Sequence, residues 1–155
     1  MAKAYVFLAT GFEDIEALIP VDIWRRGGIE VTTVSVTGQN VVTSAHGVNI
    51  ETDTCFGQCD LTDADLLFLP GGMPGATNLY QCKPLCKALC KQAEEGRLVA
   101  AICASPAVVL AAIGLLDGKK ATCYPGFEGS MTNTHYTADL VTIDGNITTG
   151  EGPAA

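Results

Sequence analysis

Residues 3–36 read KAYVFLATGFEDIEALIPVDIWRRGGIEVTTVSV, and this stretch decides the fold. Its first seven residues, which are apolar after Lys3, are typical of a buried strand, and residues 15–28 have the spacing of a helix that ends at Gly27-Gly28. A second strand follows over residues 30–36. Two strands joined by a helix form a βαβ unit, in which the strands lie parallel and the crossover is nearly always right-handed.

The same alternation of strands and helices continues along the chain. Two short strands are predicted within residues 41–53, with a break at Ala45-His46-Gly47, and a buried strand (DLLFL) is predicted over residues 65–69. A helical region broken near Pro84 is predicted over residues 76–95, and a strand over residues 97–103. A helix is predicted to begin at Pro106, followed by a short strand at 120–124 and a hairpin at 138–150 that turns at Asp144-Gly145. This pattern predicts an α/β three-layer sandwich with a mostly parallel, flavodoxin-like (Rossmann-type) sheet.

Composition predicts the broad class of protein. A chain of 155 residues fits a single domain spanning 1–155, and 48% hydrophobic residues supply a sizeable core. Nine basic against seventeen acidic residues give a net charge of −8 without any basic cluster, so we expect no nucleic-acid partner. No apolar run approaches the roughly 18 residues of a membrane span, and the start lacks the features of a signal peptide, so we expect no membrane association and a cytoplasmic location.

Seven cysteines in such a chain are expected to be reduced thiols rather than a disulfide framework. Cys82, Cys86 and Cys90 recur every four residues and share a helical face, which favours small buried apolar side chains. A metal site there would need a fourth ligand from Cys55 or Cys59, so the favoured prediction is that the protein binds no metal.

Three loops are predicted at the carboxyl ends of strands, where ligands bind in open α/β sheets. They contain Thr10-Gly11-Phe12-Glu13, Pro70-Gly71-Gly72 and Cys103-Ala104-Ser105. Cys103 would stand at a sharp turn from strand to helix, with a strained backbone angle and with amides that favour the thiolate. The alternative is a buried structural cysteine.

The neighbouring loops supply partners for this thiol. The amides of Gly71, Gly72 and Ala104 are candidates for an oxyanion hole, although a tight turn that needs glycine is the simpler interpretation of the glycine pair. Burial of Glu16 would raise its pKa and allow the neutral acid to donate a hydrogen bond to a thiolate. His46 and His135, the only histidines, are better explained as surface or turn residues than as members of a catalytic triad.

Four separated segments, GFEDIEALIPVDIWRRGGIEV, LPGGMPGATNL, AAICASPAVVLAAIGLLDGKKAT and TTGEGPAA, closely resemble the ThiJ/PfpI superfamily, in the branch of the Parkinsonism-associated protein deglycase. The resemblance covers essentially the whole chain. It implies a flavodoxin-like homodimer without a cofactor, with Cys103 as nucleophile and redox-sensitive thiol, Glu16 as the acid bonded to it, and the amides of Gly72 and Ala104 as oxyanion donors. Protease and amidotransferase chemistry is disfavoured, because Ala104 follows the cysteine where proteases have histidine.

The chain departs from the family pattern at three positions near the expected site. Tyr124 precedes the proline where human-type members have histidine, Glu151 replaces an arginine, and His46 aligns with an arginine that members present to the pocket. Tyr124 leaves the proton shuttle of human-type members without its histidine. The changes at Glu151 and His46 make the pocket less positive, which would raise the Cys103 pKa and disfavour anionic substrates. Relatives continue beyond Ala155 into a long helix, so we also expect the domain to lack that helix and to expose apolar surface. Either the chain is truncated or a partner covers that face, and a truncated, inactive homologue is a further possibility.

Two functions follow from the resemblance. The first is a glyoxalase or deglycase in which the Cys103 thiolate attacks an aldehyde such as methylglyoxal and Glu16 moves protons, with lactate as product. The second is an oxidative-stress sensor or chaperone-like binding protein that responds through oxidation of Cys103.

Overall fold

The computed structural model describes residues 1–155 and contains a central sheet of seven strands. The strands of the chain are β1 (Lys3–Leu8), β2 (Glu30–Ser35), β3 (Val41–Thr43), β4 (Asn49–Glu51), β5 (Thr54–Cys55), β6 (Leu66–Leu69), β7 (Leu98–Ile102), β8 (Lys120–Ala121), β9 (His135–Tyr136), β10 (Val141–Asp144) and β11 (Ile147–Gly150). The central sheet has the order β10-β11-β7-β6-β1-β2-β5, and only the β10–β11 pair is antiparallel. The predicted mostly parallel sheet is therefore confirmed.

Helices cover both faces of this sheet, as expected for three layers. They are α1 (Asp14–Arg26), α2 (Gly75–Gln81), α3 (Lys83–Glu94) and a six-residue π-helical segment (Pro106–Ala111), followed later by a single 3₁₀ turn (Glu128–Ser130). Alternate side chains of β1 point to opposite layers: Phe7 packs in the cluster that contains α2, α3 and the π-helical segment, whereas Val6 and Leu8 pack with α1. No helix combines the length and apolar character needed to cross a bilayer.

The predicted elements form with small differences in their bounds. The predicted hairpins form, with β3 and β4 joined across Ala45-His46-Gly47 and with Gly145 at φ +60° in the β10–β11 turn. The helical region 76–95 divides at Cys82, just before Pro84, because proline fits only the first turn of α3. The two-residue strands β5 and β9 lack a sequence signal of their own.

The predicted strand at 120–124 contains only two paired residues in the structure. Beyond Ala121 the backbone finds other partners, since the Thr122 amide donates to Thr149 Oγ1 at 2.9 Å and the Tyr124 amide donates to the Cys103 carbonyl at 2.8 Å. This segment consequently lies against the end of β7 rather than in the sheet.

An open apolar groove of about 240 Å³ lies on the α1 side of the sheet. It is lined chiefly by Trp24, Phe68, Ile102, Val141 and Ala155.

Candidate active site

Cys103 stands immediately after β7 with φ of +66°, in the left-handed region that non-glycine residues rarely adopt. Its amide donates to the Gly150 carbonyl at 2.9 Å, and its carbonyl accepts from the Tyr124 amide at 2.8 Å. Two hydrogen bonds to neighbouring segments hold this unfavourable conformation. The strained elbow predicted from the small residues around Cys103 is confirmed.

The loop after β6 approaches the thiol so closely that only glycine fits. A Cβ on Gly71 would lie 2.5 Å from Cys103 Cβ and 2.6 Å from Glu16 Oε1. Gly72 has φ of +92°, and a Cβ there would lie 2.5 Å from the Glu13 amide nitrogen. The amides of Gly72 and Ala104 both lower the pKa of the Cys103 thiol, so their N–H groups lie toward its sulfur. They are the candidate oxyanion donors beside this thiol.

Glu16, the third residue of α1, is the carboxyl that faces the thiol. It is only 2% exposed, its Oε1 accepts from the Gly71 amide at 3.1 Å, and its Oε2 has no protein hydrogen-bond partner. Glu13 caps the helix by accepting the Glu16 amide on Oε2 at 2.9 Å. The first turn of α1 is thus fixed with one buried carboxyl oxygen left free.

Burial and proximity shift the pKa values of both groups. Burial raises the pKa of Glu16 to about 7, while the nearby Cys103 thiol opposes the shift. Burial, followed by the charge of Glu16, raises the pKa of Cys103 to about 12, and the amides of Ala104 and Gly72 oppose this. Burial is the larger effect, so the amides of the elbow lower the pKa of the thiol without bringing it below its ordinary value. The thiol and the carboxyl titrate as a pair.

His46 and Tyr124 lie around this pair rather than within it. His46 is mostly exposed, with its Nδ1 2.9 Å from Asp14 Oδ1, and that carboxylate raises the pKa of His46. The Tyr124 ring is 46% exposed and packs edge-on against Phe127. It also covers the backbone of Gly152, where a Cβ would lie 3.2 Å from the ring.

One group of side chains has metal-ligand geometry. The ligand atoms of Glu13, Asp14 and His46 lie within 4.8 Å of one another. Asp14 already accepts from Ser44 Oγ at 2.6 Å and contacts His46, which occupies both of its oxygens. Sequence analysis did not predict this group, because its members come from α1 and from the β3–β4 turn.

Sequence analysis also missed the contacts that join the two loops of the site. The buried Ser105 hydroxyl donates to the Pro70 carbonyl at 2.6 Å, and the Glu13 amide donates to the Gly71 carbonyl at 2.9 Å. A serine beside the candidate nucleophile could have suggested a hydrogen bond at this position, but the sequence does not identify its partner, which is 35 residues away.

A model of the DJ-1/PfpI family matches residues 2–155. The chain belongs to this family. The resemblance predicted from the four motifs is confirmed, and with it the flavodoxin-like fold.

Several relatives illustrate the range of this similarity. Protein DJ-1 homolog B of Arabidopsis thaliana is 45% identical over 97% of this chain, which spans only 35% of that plant protein. Deglycase PH1704 of Pyrococcus horikoshii is 32% identical over 98% of this chain and 91% of its own length. The solved structure of an oxidised DJ-1 from Toxoplasma gondii superposes with a TM-score of 0.95 at 36% identity, covering 99% of this chain and 83% of that one.

Proposed function

We propose that this protein is a cysteine-dependent, cofactor-free glyoxalase or deglycase that acts on methylglyoxal or its adducts. The observation that carries the proposal is the pairing of the half-buried Cys103 thiol with the buried Glu16 carboxyl, which has one oxygen unpartnered, beside two backbone amides that lower the pKa of the thiol. The reaction class is also supported by the similarity of this chain, over 91% of that protein's length, to a protein named Deglycase PH1704.

The pair allows the first bond to form without an external base. Transfer of the thiol proton to Glu16 leaves a thiolate that attacks the aldehyde carbon of methylglyoxal, and the carbonyl electron pair moves to oxygen. The amides of Gly72 and Ala104 stabilise this oxyanion, and protonated Glu16 completes the hemithioacetal. A pKa of about 7 suits Glu16 to both giving and taking a proton near neutral pH.

An internal redox exchange then yields the product. Glu16 removes the proton from the carbon bonded to sulfur, an enediol forms, and a proton returns to the neighbouring carbon. The first carbon is thereby oxidised to a thioester and the second reduced to an alcohol, so no cofactor is needed. Water hydrolyses the thioester, releasing lactate and regenerating the thiol.

Methylglyoxal consumption with lactate detection tests this function. We expect turnover in the unmodified protein and its loss in both Cys103→Ser and Glu16→Gln, whereas Cys90→Ser, which alters a half-buried thiol on α3, retains it. Turnover in a folded Cys103→Ser protein equal to that of the unmodified protein would contradict the assignment.

A second candidate function, sensing of peroxide, is favoured by the same geometry. A sulfinate formed at Cys103 by two equivalents of peroxide would meet the amides of Ala104 and Gly72, and protonated Glu16 would donate to it. Peptide mass spectrometry after exposure to dilute peroxide is expected to find dioxidation concentrated at Cys103. Equal oxidation of all seven thiols would contradict this function.

We also propose that the protein forms a homodimer. Ile15, Ile19 and Ile23 form an exposed apolar stripe along α1, at 46%, 48% and 57% exposure. Light scattering of the unmodified protein and of Ile19→Asp tests this, with a monomeric unmodified protein as the contradicting result.

A further inference from the structure

Three thiols recur along one side of α3. Cys82 is the residue just before the helix, and Cys86 and Cys90 follow it at intervals of four positions. A lysine comes directly after each of these cysteines in the sequence. Residues four apart on a helix are neighbours on its surface, so Cys86 and Cys90 lie one above the other on α3.

Cys86 and Cys90 share an open depression of about 320 Å³ in the surface of the protein. Its other lining residues are Lys87, Lys91, Glu94 and Ile113. Cys90 is half-buried, and the more deeply buried Cys86 donates its thiol proton to the Tyr80 carbonyl at 3.4 Å. A small ligand that enters this depression therefore meets two thiols together.

The depression is on the opposite side of the sheet from the proposed dimer surface. Leu85 and Leu89 of α3 pack in the core cluster on one face of the sheet, whereas Ala17 and Val21 of α1 pack in the cluster on the other face. Association of two subunits through the isoleucine stripe of α1 consequently leaves the thiols of α3 on an outer layer.

Helical geometry allows these two thiols to share an ion but not to form a disulfide. Cβ atoms four residues apart on a helix are roughly 5–6 Å apart, whereas a disulfide requires Cβ atoms about 3.5–4.5 Å apart. An ion bound to two thiolates at about 2.3 Å each joins sulfurs up to roughly 4.6 Å apart. The Cys90 thiol also contributes to the raised pKa of Cys86, after the larger effect of burial, so the two sulfurs lie near each other.

The surroundings of the pair disfavour its reaction as separate nucleophiles. Burial raises the pKa of both thiols, and the charge of Glu94 adds to the shift at Cys90. Neither thiol is therefore activated for attack on a disulfide or peroxide. A metal ion binds by displacing both thiol protons, and the amino groups of Lys87 and Lys91 would offset the charge of the two thiolates.

A tetrahedral site of four cysteines is not formed at this helix. Neither Cys55 nor Cys59 lines the depression, and Cys55 instead donates its thiol proton to Asn40 Oδ1 at 3.1 Å. Two thiolates without a full tetrahedral set suit a soft metal ion that takes few ligands, rather than structural zinc.

We propose that Cys86 and Cys90 form a dithiol site on α3 for one soft metal ion of low coordination number. The two sulfur–metal bonds replace the two S–H bonds, two protons are released to solvent, and no electron is transferred. The site is independent of the reaction proposed at Cys103, because neither of its thiols takes part in that reaction.

Silver(I) is a suitable probe, because it is a soft ion that binds two thiolates. The reduced Cys103→Ser protein, which lacks the thiol of the candidate active site, is titrated with silver in excess glutathione, and native mass spectrometry counts the bound ions. Glutathione competes with single cysteines, so silver that stays on the protein reports a chelating pair. We expect one silver ion per chain, and a protein that retains none would overturn the proposal.

Substitutions in the same background assign the pair. Cys90→Ser is expected to weaken silver binding by more than about a hundredfold, because the second thiolate binds at high effective concentration. Cys90→Ala replaces it if serine lowers the thermal stability. Cys59→Ser is the matched control, since Cys55 and Cys59 have the same spacing outside any helix, and it should bind silver unchanged. Silver retained in the Cys90 variants, or lost equally in the Cys59 control, would overturn the assignment.

A trivalent arsenical identifies the bridged sulfurs directly. Phenylarsine oxide condenses with two thiols, forming two arsenic–sulfur bonds and releasing water without a change in oxidation state. Trypsin cleaves after Lys87, so a bridge between the two cysteines joins the peptide ending there to residues 88–91. We expect this linked pair of peptides to persist in Cys82→Ser and to be blocked by one equivalent of silver. No linked pair, or a pair lost in Cys82→Ser, would refute the site.

Discussion

Replacing Glu16 with glutamine removes a buried ionisable group while preserving its shape and an acceptor for the Gly71 amide. Burial raises the pKa of Glu16 from its ordinary value of 4.5 to about 7 in the folded protein. The unfolded chain ionises this group above about pH 4.5, whereas the folded protein keeps it protonated up to about pH 7. The contribution of Glu16 to the free energy of unfolding is therefore fully present below pH 4.5 and is lost as pH rises toward 7.

The difference between these pKa values corresponds to about 3 kcal/mol of unfolding free energy. Glutamine has no proton to lose, so this fall in the free energy of unfolding with rising pH does not occur in the Glu16→Gln variant. Relative to the unmodified protein, we expect the variant to gain about 3 kcal/mol between pH 4.5 and about pH 8, with the steepest change below pH 7. The same variant is expected to be inactive, because an amide cannot shuttle protons.

Urea unfolding at a series of pH values measures this difference directly. Glu128→Gln is a suitable control, because Glu128 is exposed and its substitution should change stability by less than about 0.5 kcal/mol at any pH. A difference between Glu16→Gln and the unmodified protein that stays constant from pH 4.5 to 8 would refute the argument that Glu16 is a buried acid held neutral by its surroundings.

Other substitutions test the geometry around the thiol. Gly71→Ala is expected to destabilise the fold by about 2 kcal/mol or more, because its Cβ has no room, whereas Gly129→Ala, where the space is open, should change stability by less than about 0.5 kcal/mol. Ser105→Ala leaves the Pro70 carbonyl without its donor, so we expect thermal unfolding to show a loss of about 1–3 kcal/mol in the free energy of unfolding. We also expect kcat to fall with little change in KM, and an unchanged kcat would show that this hydrogen bond does not position the amides. Tyr124→Phe is expected to keep turnover, because the half-exposed ring lies outside the thiol–carboxyl pair, and a drop of about a hundredfold or more would instead make its hydroxyl a proton donor.

The order of strands and helices could be predicted because β1, β6 and β7 are nearly continuous apolar runs and β10 and β11 form a hairpin marked by a turn sequence. The residues of β1 show the reason. Phe7 packs on one face of the sheet and Val6 and Leu8 pack on the other, so both faces are buried and the strand is apolar rather than alternating with polar residues. β5 (Thr54–Cys55) forms by pairing with the edge of β2, and two residues are too few for a sequence pattern to predict this strand.

The position of the candidate site was equally predictable, since the carboxyl ends of parallel strands meet at one edge of a sheet. Cys103 directly follows β7, Gly71 and Gly72 lie just after β6, and the two loops come together as expected. The hydrogen bond from Ser105 to Pro70 was not predictable, because the pairing depends on the distance between two loops that are remote in sequence.

Sequence reasoning anticipated the raised pKa of Glu16 but not the raised pKa of the Cys103 thiol, and the reason for the difference is physical. An elbow with converging amides lowers a thiol's pKa, and the amides of Ala104 and Gly72 do act in that direction. Desolvation acts on the same sulfur with the opposite sign and is the larger effect, and it depends on how completely α1 and the glycine loop enclose the thiol. Since Glu16 is enclosed by the same elements, its proton and that of Cys103 are coupled, and the pKa of the thiol depends in part on a carboxyl 87 positions away in the sequence.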